Sequence, residues 1–178
     1  MFLFLAVNFD NQTKGELRGI AERLAVQSVS GNFTAKENFH ITLVFIGETD
    51  EKRIPLITGV MDTVASKSFS LELGGLGKFG REGGDIFWYG VQLNPTLREL
   101  NAFISENLRS CGFNIESRKY TPHITLGREV VMSPGFNKTE FDRTLPRLTV
   151  PVSRISLMKS ERVRGAIRYV EIYKKELQ

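Results

Sequence analysis

Apolar residues recur along this chain in two rhythms, and the changes between them divide it into helices and strands. From Thr13 to Val26, Leu17, Ile20, Ala21 and Leu24 fall on one face with i, i+3, i+4, i+7 spacing, which predicts an amphipathic helix lying on a sheet. A second helix is expected after Asp50, a suitable N-cap, with Ile54, Ile57, Met61 and Val64 as its apolar stripe. The third carries both a start and a stop. Asn94 can cap it, Pro95 takes its first position, Leu97, Leu100, Ile104 and Leu108 form the stripe, and Gly112 can close the end.

The remaining apolar runs read as strands: Phe2 to Phe9, Phe39 to Ile46, Phe69 to Leu73, Ile86 to Leu93, Pro122 to Gly127, Leu148 to Met158 and Ala166 to Tyr173. Single helices interleave with pairs of strands instead of alternating one for one. That order predicts an α+β fold with antiparallel or mixed sheets and no domain linker. The segment Glu129 to Pro146, which holds Pro134, Gly135, Asn137, Asp142 and Pro146 without periodicity, is expected to be a long loop. Gly75-Leu76-Gly77-Lys78-Phe79-Gly80 formally matches the dinucleotide fingerprint G-x-G-x-x-G. A strand, not a helix, follows it, so a hairpin loop is the better reading.

Composition adds limits. The chain has 178 residues, 41% hydrophobic and 25% charged, enough for one domain or two small lobes sharing a core. Disordered, collagen-like and coiled-coil readings are excluded. The apolar start, Met1 to Val7, is too short to span a bilayer and lacks a basic n-region, so it reads as a buried strand. The single cysteine, Cys111, suits a reducing compartment, and a cytoplasmic location is expected. The net charge of +4 is concentrated in the last third, where Arg143, Arg147, Arg154, Arg162, Arg164 and Arg168 lie, which suits an anionic partner such as RNA phosphate.

The chemistry is carried by a repeat. His40-Ile41-Thr42-Leu43 and His123-Ile124-Thr125-Leu126 are identical, and they contain both histidines of the chain. With each following position matching by chance at about 5–10%, such a coincidence arises roughly once in 10³ to 10⁴ proteins. On a strand, residues i and i+2 share a face. Each motif therefore offers an imidazole and a hydroxyl on one side and anchors Ile and Leu in a core on the other. Two imidazoles with ordinary pKa near 6.5 can serve as one base and one acid. Two hydroxyls can hold non-bridging oxygens, an arrangement suited to in-line displacement at phosphorus. The chain has only two imidazoles, which disfavours a metal site. A serine or cysteine nucleophile would leave the duplication unexplained.

These motifs, Phe39-His40-Ile41-Thr42-Leu43-Val44-Phe45-Ile46-Gly47 and Tyr120-Thr121-Pro122-His123-Ile124-Thr125-Leu126-Gly127-Arg128, resemble those of the two-histidine phosphoesterase superfamily. The likeness is greatest to its RNA 2′,3′-cyclic phosphodiesterase branch, also named 2′-5′ RNA ligase. Weaker support comes from Leu3 to Val7, Phe87 to Val91, Ser160, Gly165 and Tyr169. The resemblance implies a single bilobal domain over residues 1–178, two pseudo-symmetric, mainly antiparallel sheets around a central groove, and no cofactor. It implies His40 as proton donor to the leaving oxygen, His123 as acceptor activating water, and Thr42 and Thr125 as phosphate-binding hydroxyls. The implied reaction opens an RNA or oligonucleotide 2′,3′-cyclic phosphate to a 2′-phosphomonoester. Many relatives have a basic residue after the initiator and a histidine before the Pro of the second motif, where this chain has Phe2 and Thr121.

Arg118, Tyr120 and Arg128 flank the second motif as candidates for base stacking or further phosphate contacts, with strand capping an equal alternative for Arg128. A small cyclic nucleotide as substrate, 2′-5′ ligation at the same site, and a non-catalytic RNA-binding module stand as alternatives. Nothing in the sequence signals a membrane or an obligate protein partner.

Overall fold

The computed structural model describes Met1–Gln178. Strand β1 (Phe2–Asn8) leads into helix α1 (Asn11–Val26), whose first turn is capped by the Asp10 carboxylate accepting from Thr13 N at 2.7 Å. Strands β2 (Ser28–Phe33) and β3 (His40–Glu48) follow. Asp50 caps a 3-10 turn that runs into α2 (Ile54–Asp62). The hairpin of β4 (Phe69–Phe79) and β5 (Asp85–Val91) comes next, then α3 (Pro95–Ser110) and β6 (His123–Met132). The chain ends with α4 (Lys138–Arg143), β7 (Leu148–Val152), β8 (Arg154–Val163) and β9 (Ala166–Glu176).

All strand pairs are antiparallel, in two sheets ordered β3-β1-β8-β9 and β2-β6-β5-β4-β7. Helices α2 and α3 pack together, with α3 against β3 and α2 against β9, while α1 lies on β2 and β6. One hydrophobic cluster of 36 buried residues takes members from both sheets, from Leu3, Leu5 and Ile41 to Tyr89, Ile124 and Leu126. The α3 signals act as expected. Asn94 accepts from Leu97 N at 3.0 Å, the whole Leu97, Leu100, Ile104 and Leu108 stripe is buried, and Gly112 adopts φ 78.

Three expectations need correction, and one strand, β2, carried no signal in the sequence. Leu148 to Met158 is two strands in different sheets, broken at Ser153, where the chain crosses from one sheet to the other. Glu129 to Pro146 is not one loop: β6 runs on to Met132, and Asn137 caps α4 by accepting from Glu140 N at 3.2 Å. The glycines at 74–77 lie inside β4, and the hairpin loop falls at residues 80–84. They mark a bulge between Leu73 and Leu76, tied down by Leu76 N donating to Asp142 Oδ1 at 2.6 Å. Finally, β2 has no apolar alternation, being Ser-Val-Ser-Gly-Asn-Phe; it is an edge strand held by pairing with β6.

Candidate active site

Strands β3 and β6 sit in different sheets, and each repeats the same alternation. Ile41, Leu43, Ile124 and Leu126 are buried in the shared core, while His40, Thr42, His123 and Thr125 are half-buried on the other face. Those four side chains line one groove of about 240 Å³. Strand periodicity thus places the two imidazoles and two hydroxyls on a common concave surface from opposite sheets.

The two imidazoles are fixed in the same way. His40 Nδ1 donates to the Asn38 carbonyl at 2.7 Å, and His123 Nδ1 donates to the Thr121 carbonyl at 2.8 Å. A carbonyl oxygen only accepts, so Nδ1 carries the hydrogen and Nε2 of the neutral ring has the lone pair. The Thr42 hydroxyl donates to His40 Nε2 at 3.0 Å. Aromatic rings pack on each imidazole: Phe4 and Tyr169 at 4.9 and 5.1 Å from His40, Phe79 and Trp88 at 5.1 and 6.1 Å from His123. Burial among them penalises the imidazolium and pulls the His40 pKa down from 6.5 to about 4. It lowers His123 as well, for the same reason.

On the β1–β3 side the groove wall is aromatic. Two register shifts between β1 and β3 leave Leu43 and Ile46 without partners and pair Phe4 with Phe45. Plain alternation from Thr42 would turn Val44 to the groove; instead Leu43 and Val44 are both buried, and Phe45 returns to the groove face at 59% exposure. The Leu43 carbonyl accepts from Asn101 Nδ2 of α3 at 2.7 Å, which holds the bulge. Phe2, 53% exposed, continues the wall.

Of the flanking candidates, Arg128 lines the groove. Arg118 does not; its side chain is 79% exposed and pairs with Glu116 at 2.9 Å. Tyr120 also points elsewhere. Its ring packs on the core and its hydroxyl donates to the Thr42 carbonyl at 3.0 Å, so it ties the segment before the second motif to the strand of the first. A ring so placed cannot stack on a base. The sequence reading missed Thr34, Asn38, Phe4 and Phe45 as groove residues. Phe4 lies in the continuously apolar run of β1, which has no alternation to mark a groove face, and Phe45 depends on a bulge that no local signal marks. No three or more His, Cys, Asp or Glu side chains gather as a set able to hold a metal ion.

The fold and the groove define a class: α+β proteins in which two antiparallel sheets each present a His-x-Thr strand to a common cleft. Residues 15–164 match the model of the 2′-5′ RNA ligase superfamily, and the chain belongs to that family. It is 31% identical over 163 residues to the RNA 2′,3′-cyclic phosphodiesterase of Thermotoga maritima, covering 90% of this chain and 87% of that protein. The Escherichia coli RNA 2′,3′-cyclic phosphodiesterase is 27% identical over 150 residues, 80% of this chain and 78% of that one. The E. coli LigT crystal structure in apo form shares the fold, with TM-score 0.80 at 22% identity over 99% of this chain and 96% of that chain.

Proposed function

We propose that this protein hydrolyses 2′,3′-cyclic phosphate termini of RNA to 2′-phosphomonoesters. The observation that carries the reading is the pair of imidazoles lining one groove from two sheets, each ring locked through Nδ1 on a backbone carbonyl, which leaves Nε2 as the nitrogen for acid–base work. The names of the relatives support the substrate class.

In this reading His123 Nε2 takes a proton from water as the water oxygen bonds to phosphorus. The P–O3′ bond breaks on the opposite side, and His40 gives its proton to the departing 3′ oxygen. Thr42, Thr125 and Arg128 hold the non-bridging oxygens, where donors stabilise the charge of the transition state. His40 must then enter the reaction protonated although burial opposes its charge. The phosphate monoanion brought next to it supplies the compensating charge, so substrate and proton bind together. Phe2 and Phe45 offer the terminal nucleobase a stacking surface that any base can use.

The test is to incubate the protein with a 2′,3′-cyclic-phosphate oligoribonucleotide in chelator and map the product phosphate. A 2′-phosphomonoester is expected, with kcat reduced about 10²- to 10⁴-fold in either His40→Ala or His123→Ala. Retention of near wild-type turnover in both variants would sink the reading. A 5′-hydroxyl oligonucleotide in place of water as attacking group would give 2′-5′ ligation by the same acid and base, and a joined product in that arm would assign it.

A further inference from the structure

Strand β1 pairs with β8 only as far as Ser160, opposite Phe2. Beyond it β8 and β9 are paired to each other alone: Glu161 with Arg168, Arg162 with Ile167, Val163 with Ala166. The hairpin thus leaves the sheet as a two-stranded arm, a structure of marginal stability in water unless its root is secured. The root is secured beside the groove. Asn38 Nδ2 donates to the Ile167 carbonyl at 2.8 Å, Tyr169 N donates to Asn38 Oδ1 at 3.3 Å, and Asn38, Ser160 and Tyr169 all line the groove.

The arm carries Arg162, Arg164 and Arg168, all exposed and in none of the chain's ion pairs. Its one acid, Glu161, is held by Lys159 at 2.6 Å. Pairing puts Arg162 on the face of Ile167 and Arg168 on the opposite face, with Arg164 at the tip. Arg164 has φ 50 and Gly165 φ 85, the two-residue turn that favours Asn, Asp or Gly at its first position. An arginine there is conformationally costly and presents a cation at the furthest point of the arm.

We propose that this arm, residues 161–168, is a contact surface for the RNA backbone leading to the terminal phosphate in the groove. The proposal rests on the phosphodiesterase reading. A strand whose end lies between the two histidines has to leave the groove past its walls, and the arm grows from one of them. Unpaired arginines suit phosphate oxygens, and half-exposed Val163 and Ile167, at 43% and 46%, suit sugars and bases. That continuity with the groove favours RNA over an acidic protein as partner.

The experiment compares wild type with R162Q/R164Q/R168Q on a nucleoside 2′,3′-cyclic phosphate and on an oligoribonucleotide ending in the same nucleotide. We expect unchanged kcat/KM on the mononucleotide and a loss of roughly 10- to 100-fold on the oligomer at low salt. The log–log salt dependence for the oligomer should become shallower by about 2, at about 0.7 per lost single-strand phosphate contact. The R164N variant should keep or raise Tm, because Asn tolerates the turn, while still weakening the oligomer. Equal losses on both substrates, or no loss on either, overturn the arm's role. Wild type inactive on both substrates overturns the phosphodiesterase reading instead. The arm is then judged by the Kd of a 2′-phosphate-ended oligoribonucleotide: weakening in the triple variant supports it, and no change overturns it.

Discussion

At the scale of single residues, burial disfavours the charged form of both groove imidazoles. His40 is pulled down to about 4, and an unfolded imidazole titrates near 6.5. Below 6.5 the unfolded chain binds a proton that the folded one refuses, so stability present above 6.5 is lost as the pH falls toward 4. At about 1.4 kcal/mol per pH unit this is roughly 3 kcal/mol. Urea melts across that window should record the loss, and His40→Asn should flatten it; an undiminished slope in the variant would assign it to other groups. The same depression bears on rate. Both limbs of the kcat/KM profile should lie below 6.5, as that profile reports the free enzyme. Those of kcat should lie higher, since bound phosphate favours imidazolium. Coincident profiles would contradict this. The two motifs were fully legible because their signal is local: four residues fix which side chains share a face. Tyr120 was not, because its partner, the Thr42 carbonyl, is 78 residues away in the sequence.

At the scale of elements, legibility followed the amount of local signal. Helix α3 carries cap, proline, stripe and glycine, and all act as their chemistry suggests. Helix α4 is six residues long, with a single buried side chain, Phe141, so no periodicity could reveal it. The β3 bulge is recognisable only in the pairing of Phe4 with Phe45 and in Asn101 reaching its free carbonyl. Asn101→Leu should leave that carbonyl unsatisfied, costing about 1–3 kcal/mol, and should raise KM as Phe45 loses its place. Denaturant melts and steady-state kinetics check both. The β4 bulge is tighter still. A Cβ on Gly90 would stand 2.3 Å from the Gly74 carbonyl, so Gly90→Ala should destabilise by about 1–3 kcal/mol, read as a lowered Tm.

At the scale of the whole molecule, each sheet supplies one of the two motifs to the groove. What sequence could not convey is how the sheets interleave: the chain crosses between them repeatedly, the last time at Ser153, where one residue separates β7 from β8. Tyr120 adds a polar tie between motif segments. Tyr120→Phe keeps the ring and removes one hydrogen bond to the Thr42 carbonyl. It should cost about 1–2 kcal/mol and lower kcat more than it changes KM, because the hydroxyl positions and does not bind. A KM effect alone would contradict that role. No helix of the structure is long and apolar enough to cross a membrane.

Trp88, packed 6.1 Å from His123, is the only tryptophan in the chain. The protein therefore carries its own optical reporter on one half of the groove. An imidazolium beside an indole quenches its emission, so a fluorescence titration without any substrate should trace the protonation of His123 directly. The transition should vanish in His123→Asn and persist in His40→Asn, giving His123 a readout of its own before a single turnover is measured.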